Sequence, residues 1–385
     1  MIKKYYPILL SKDGEFKAIL HLPHEVKERI SPIIEVLPEV FLDGHTARKE
    51  QRRVEAEKRR IKEGKPEKPK KERKEKPYEN PLEKLLLTHW SFPGNQILLD
   101  FTHCNETEPK YIWIFLNALT NGGTNIIPIV SQGSNPVYLD MVMRFANDND
   151  KLVCIRNHYP QSSFANKVVN EGMARFLKVP EADTILLLDV GYIDNDSHKQ
   201  AIIDTKQALL NITDIGKWRG IIVAAGSFPE DLTDFAARKE PHLLNRHEWR
   251  LWNELKTLSI SDKLSYADYG IKHPVYSAVG FSGSASIKYS SKDYFVIYRG
   301  EKSGDHELGN AQYIMHAREL VANTDYYSGE QFSWGDQQIS EYSKRNPHTD
   351  LSIKVKSKQK PKPGSSGTWV AICQNHHMVL LDEMT

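Results

Sequence analysis

The side chains best suited to chemistry stand at the ends of short apolar runs. Eight such runs occur: YYPILL from Tyr5, SPIIEV from Ser31, QILLDF from Gln96, IIPIVS from Ile126, LVCIRN from Leu152, ILLLDVG from Ile185, GIIVAAG from Gly220 and LSYADYG from Leu264. The same place in each run gives Lys12, Glu35, Asp100, Ser131, Arg156, Asp189, Ser227 and Asp268. Six of these eight are ionisable although each follows an apolar stretch, and charges in that setting must be paired or ligated. Glu35, Asp100, Asp189 and Asp268 outnumber Lys12 and Arg156, and a hard cation such as Mg²⁺ or Mn²⁺ would neutralise the surplus through oxygen ligands. The same residues also suit a closed ion-pair network, Glu35 with Lys12 and Asp189 with Arg156. His103 and His158 follow Asp100 and Arg156 closely enough to act as general acids or bases, or they stand idle in loops. SFPED, from Ser227, offers a hydroxyl and backbone amides at a possible helix start, for an anion or as an ordinary N-cap.

What must position these residues is a set of strands. Runs of four to seven apolar residues without alternation suit parallel strands buried on both faces. Their starts are mostly 26–44 residues apart, the length of a βα unit with its loops. Eight at this rhythm predict an α/β fold, a closed (β/α)₈ TIM-barrel-like domain, in preference to an open doubly wound sheet. In such barrels the working residues sit where strands end.

One gap, of 65 residues, breaks the rhythm after the second run. It holds a basic insertion, 45–80, in which Arg48–Lys76 carries 15 Lys and Arg against 7 Glu. The overall charge is only +2, so the remainder is net acidic. The insertion begins with helix-forming composition and becomes proline-broken. Residues 48–76 could track the phosphates of a nucleic acid, with no aromatic side chain for base stacking, or serve as a solvated linker or partner-docking helix.

After the eighth run come a hairpin arm at 286–300 and an amphipathic helix, LGNAQYIMHARELVANT, expected to be the last of the barrel. This bounds a barrel domain at 1–325. Residues 326–385 form a C-terminal extension packed on it: a short helix at SWGDQQISEYSKR, a polar loop and a final strand, TWVAICQNHHMVLL. The three cysteines, Cys104, Cys154 and Cys373, share no CxxC spacing, which argues against a thiolate zinc site and a disulfide framework. There is no cleavage-like leader and no run of about 18 apolar residues, so the expectation is a cytoplasmic protein without membrane attachment. GxSxG, HExxH, P-loop and dinucleotide-binding motifs are absent.

An ordered set of motifs resembles the Beta protein family of bacteriophages and bacterial mobile elements. The matching pieces are PILLSKDGEFKAIL, PIIEV, LLLDVG, SFP, HEWRLWNEL, the DYG of LSYADYGIKHP, YRG at Arg299, the GD of SWGDQQI, and Trp369 with QNHH. The resemblance spans nearly the whole chain except residues 45–80. It implies a TIM-barrel-type protein encoded beside phage-defence genes, and it carries no defined activity. Its motifs coincide with Lys12, Glu35, Asp189 and Asp268, and they add Asp336, His376 and His377. On a strand the two histidines would face opposite ways.

The expectation is a component of an anti-phage system whose barrel mouth binds a phosphate-bearing ligand. As an enzyme it would perform metal-assisted phosphodiester hydrolysis. Glu35, Asp100, Asp189 and Asp268 would hold the metal or activate water, while Lys12 and Arg156 stabilise phosphoryl oxygens. Ser131, His158, Ser227 and His103 would line the ligand. The competing reading is a non-catalytic sensor or scaffold that binds a partner protein of a defence complex. An enzyme acting on a small phosphate or sugar is a third.

Overall fold

The computed structural model describes residues 3–38, 80–90, 92, 94–104, 107, 109–161, 164–212, 215–277, 283–347 and 363–385. The strands in chain order begin β1 (Tyr5–Leu10), β2 (Ile33–Glu35), β3 (Ile97–Asp100), β4 (Ile126–Ser131), β5 (Val153–His158), β6 (Thr184–Tyr192) and β7 (Gly220–Gly226). Then follow β8 (His242–Asn245), which leaves the barrel, and β9 (Leu264–Asp268). β1 to β7 and β9 form a closed barrel of parallel strands, and β1 seals it by pairing with β2 on one side and β9 on the other. The eight apolar runs are these eight strands, and the chain has a (β/α)₈ TIM-barrel-like fold. Residues 45–79 of the basic insertion, with the proposed phosphate-tracking arm at 48–76, lie outside the described residues.

Period-two alternation sends one set of side chains into the lumen and the other towards the helices. Ile8, Ile33, Leu98, Ile129, Cys154 and Leu187 pack together inside the barrel. Leu9, Ile34, Leu99, Val130, Ile155 and Leu188, one residue further along, join the larger core beneath the helices.

Those helices are α1 (Asp13–Leu20), α2 (His24–Arg29), α3 (Pro81–His89), α4 (Pro109–Asn121), α5 (Pro136–Asn149), α6 (Lys167–Leu177), α7 (His198–Asn211) and α8 (His247–Leu255). Asparagine starts three of them. Asn80, Asn135 and Asn166 each accept backbone N–H groups left open at the first turn, and Pro81 and Pro136 follow with a backbone angle already helical. Asp150 and Lys178 end α5 and α6 in the left-handed conformation.

A second layer stands beside the barrel. β10 (Ile287–Ser290) and β11 (Tyr294–Tyr298) form the expected antiparallel hairpin, and β8 adds a third strand in the order β10-β11-β8. Three helices follow: α9 (Gln312–Ala322), α10 (Trp334–Ser343) and α11 (Ser366–Met384). α9 is not the last barrel helix, because its Tyr313, Ala317 and Leu320 pack in a separate core with the three-stranded sheet.

The segment expected as a final strand is α11, a helix of 19 residues. It is buried almost all round, so no polar stripe marked its helical period in the sequence. α11 packs on α1, α2 and β1. Its Trp369, Ile372 and Cys373 enter the second core and its Met378, Val379 and Leu381 the first, so one helix rivets the two. Ser365 and Thr368 cap its start reciprocally.

Candidate functional site

At the C-terminal ends of the barrel strands the alternation that fills the lumen continues into polar residues. Glu35, Asp100, Arg156 and Asp189 each stand two residues beyond a lumen side chain and converge. Arg156 is the centre, buried to 5% exposure. Its Nε and Nη2 donate to Asp189 Oδ2 at 3.0 and 2.8 Å, and Nη1 and Nη2 donate to Glu35 Oε1, each at 3.1 Å. Nη1 also donates to Asp100. Nη2 lies 2.6 Å from the Tyr269 hydroxyl, which itself donates to Asp189 at 2.7 Å. Lys272 Nζ donates to the other Glu35 oxygen at 3.1 Å, and His158 Nδ1 stands 3.2 Å from Asp189.

These pairings favour the ionised form of two of the carboxyls. Burial works to raise the Asp100 carboxyl, but Arg156 and Thr102 outweigh it and hold it below the usual range. Asp189 follows the same balance: burial raises it, and Arg156, His158 and Tyr269 bring it well below. The adjoining Glu15 of α1 goes the other way. Burial lifts it to about 7, against the attraction of Lys272 and an accepted bond from the Leu10 amide at 2.6 Å.

Lys12, expected to pair with Glu35, is exposed, with Nζ 4.7 Å from the centre of the Tyr276 ring. Arg156 and Lys272 take Glu35 instead, whereas the expected pairing of Asp189 with Arg156 is present. His103 is half-buried, with its ring edge-on to Tyr276. Ser131, half-buried at the end of β4, lies beside Ser134. A cavity of about 440 Å³ opens here between the ends of β3, β4 and β5, walled by Thr102, Ser131, Ser134, Asn135, His158 and Gln161.

Two of the residues taken from strand ends lie one position off the lumen register. On β9 the lumen residues are Ala267 and Tyr269, so Asp268 points to the outer face. There it accepts from the hydroxyls of Tyr5 and Tyr266, each at 3.0 Å, and from the Gly270 amide at 3.1 Å. His377 Nε2 is 2.9 Å from Asp268, and His377 Nδ1 is 2.7 Å from Ser290 Oγ. The Asp–His–Ser order is that of a nucleophilic triad, yet all three side chains are almost wholly buried, at 1% exposure or less. Ser227 also faces outward. No helix begins at SFPED; the Ser227 hydroxyl accepts the Glu248 amide at 3.0 Å, in the first turn of α8.

The remaining family motifs join the same interior web. Asp336 accepts from Tyr289 at 2.7 Å and Ser333 at 2.6 Å, and His376 Nδ1 lies 2.8 Å away. His376 and His377, expected on opposite faces of a strand, are consecutive on α11 and both buried. The opposite ring nitrogen of His376 meets the Ser290 carbonyl at 2.8 Å. Gly335 lets α10 touch α11, since a Cβ there would lie 2.2 Å from the Ile372 carbonyl oxygen. The GD, NHH and DYG motifs thus join barrel, sheet and C-terminal helices.

Sequence reading passed over Tyr269, Lys272 and Glu15. Tyr269 was recoverable, being two residues beyond the small lumen residue Ala267; Lys272 and Glu15 reach the mouth from a loop and a helix. Among the described residues no group of three or more His, Cys, Asp or Glu side chains is arranged to hold a metal ion. All three cysteines are buried and none forms a disulfide. No helix among the described residues is long and apolar enough to cross a membrane.

Fold and mouth together define a (β/α)₈-barrel protein whose strand ends carry an internally paired charge cluster around one buried arginine. The sequence matches the Beta protein family over residues 5–381, and the chain belongs to that family, which is associated with phages and mobile elements. No curated protein matches it. Among solved structures, a type I 3-dehydroquinate dehydratase from Clostridium difficile, carrying covalently modified comenic acid, aligns with a TM-score of 0.37 and 14% identity. The alignment covers 72% of this chain and 88% of that one.

Proposed function

We propose that this protein is a non-catalytic subunit of an anti-phage defence assembly and binds a partner protein. The observation that carries the reading is the closed pairing at the mouth. Each carboxylate that could bind a metal or activate water there accepts from the Arg156 guanidinium, and Lys272 takes the second Glu35 oxygen. A divalent cation at Glu35, Asp100 and Asp189 would compete with that guanidinium for the same oxygens.

The partner's place is the outer surface of α4 to α7. Of eleven exposed large apolar side chains among the described residues, seven lie on these helices: Tyr111, Ile114, Val137, Val168, Phe176, Ile203 and Leu210. Consecutive barrel helices are neighbours in the outer ring, so the side chains fall on one flank, and such surfaces suit association with another protein's apolar face.

The test has two parts. Mixing the full chain with the products of adjacent genes should give a complex on size-exclusion chromatography. Ile203→Glu with Leu210→Glu should abolish it without unfolding the protein. Incubation with labelled single- and double-stranded DNA and RNA in Mg²⁺ or Mn²⁺ should leave all substrates intact. Cleavage that disappears in Asp189→Asn would overturn the proposal.

That outcome would support a second reading, hydrolysis of a phosphate-bearing ligand at the mouth. It is favoured by the polar cavity beside His158, with Asn135 and the start of α5 in its wall. Any nucleic-acid contact through 48–76 belongs with this reading.

A further inference from the structure

A second cavity, of about 370 Å³, lies away from the mouth, between the loop after β7, the three-stranded sheet and α11. Its polar wall is unbalanced. Lys288 on β10, Arg299 just after β11, and Lys302 line it, opposed by Glu230 and Asp231 of the loop. Asp231 is engaged by the Thr233 amide and hydroxyl, at 2.8 and 2.5 Å. Arg299 donates to the backbone oxygens of Leu232 and Gly300.

Among the described residues Lys288 Nζ has no hydrogen-bond or ion-pair partner; its contact is the face of Phe228, 4.5 Å from the ring centre. Leu232, Ile271, Tyr313 and Trp369 supply an apolar wall, with Tyr313 and Trp369 stacked at 5.0 Å. Two cations held close together in a partly apolar cleft repel each other and lose hydration, a cost that an anion between them reverses.

We propose that this cavity binds a small ligand with an anionic end, a phosphate or carboxylate, taken by Lys288 and Arg299, and an apolar or aromatic body against Tyr313 and Trp369. Three features of the sequence meet here: the YRG motif supplies Arg299, the segment after SFP supplies the acidic loop, and Trp369 comes from the last motif. Titration agrees with the geometry. Burial, with a smaller push from Arg299 and against the pull of Cys373, brings Lys288 down to about 8. Arg299 is lowered by burial, against the pull of Asp231. The site is separate from the mouth, so the proposal stands or falls independently of the partner-binding reading.

The experiment is calorimetric titration of the full chain with phenyl phosphate and with benzoate, using benzyl alcohol as the neutral control. Saturable binding of one equivalent of either anion, and none of the alcohol, is expected; the better anion identifies the headgroup. Lys288→Met, which keeps the stem and removes the charge, should weaken binding by about tenfold or more, the loss of one charge-assisted bond. Lys206→Met, on α7, should leave it unchanged. Should Lys288→Met misfold, the wild-type pH profile decides. Affinity should fall from pH 7 to pH 9 as the amine loses its proton, while the other groups facing it, Arg299 and Cys373, keep theirs. No saturable binding of either anion, equal binding of the alcohol, or affinity indifferent to both Lys288→Met and pH would overturn the proposal.

Discussion

Arg156→Met is the perturbation that tests the mouth most directly. In the native protein the guanidinium donates to Glu35, Asp100 and Asp189, all three at most 5% exposed. Methionine fills much of the volume and leaves these carboxylates facing one another with Lys272 as the nearest cation. Removing one partner from a buried ionic cluster costs about 3–5 kcal/mol.

The pH dependence gives the sharper check. Asp100 and Asp189 have folded pKa values below their unfolded ones. The wild type therefore has their stabilisation in full above about pH 4 and loses it as pH falls through the folded values. Without Arg156, burial and mutual repulsion raise the same groups above their unfolded values. The variant's deficit is then largest at pH 8 and shrinks as the carboxyls take up protons towards pH 5. Urea unfolding of both proteins at pH 8 and pH 5, followed by tryptophan fluorescence, measures this. A deficit below about 1 kcal/mol at pH 8, or one that does not change with pH, would refute the account of the mouth as a charge-balanced unit.

Glu15→Gln should stabilise the protein at pH 8. The carboxyl, lifted by burial to about 7, favours folding less and less as pH rises through that value. The gain should be about 1–3 kcal/mol in urea unfolding at pH 8 and vanish below about pH 5. Gly335→Ala should cost about 2 kcal/mol or more, because the added methyl meets backbone of α11 that cannot swing aside; thermal unfolding reads it. Asp268→Ala should cost about 3–5 kcal/mol, leaving His377 and two tyrosine hydroxyls without their acceptor, and a pulse of limited proteolysis should then release the C-terminal helices early. The double substitution on α7, Ile203→Glu with Leu210→Glu, should shift the unfolding free energy by no more than about 0.5 kcal/mol.

The barrel was readable because a parallel strand covered on both faces leaves an uninterrupted apolar run, and eight of those recurred at one spacing. The mouth was readable in part for the same reason: Glu35, Asp100, Arg156 and Asp189 stand where lumen alternation would place them. Asp268 and Ser227 were read by their position at a run's end rather than by parity, and one residue turns a strand's side chain to the opposite face.

α11 was mistaken for a strand because burial on every side erased its period. Its length was the remaining clue, since TWVAICQNHHMVLL exceeds the usual four to eight residues of a strand. Lys272, Tyr269 and Glu15 meet the mouth through contacts between distant segments, which no local pattern encodes.

The C-terminal helix has a consequence for how the protein is made. Asn375 donates to the carbonyl of Ala18, 357 positions earlier, and α11 lies against the first strand and first two helices of the barrel. A ribosome delivers β1 long before it delivers the helix that covers it. During that interval the apolar flank of the nascent barrel is open to solvent, to chaperones or to another unfinished chain. A message or polypeptide cut short upstream of Ser366 would yield eight strands without their last cover.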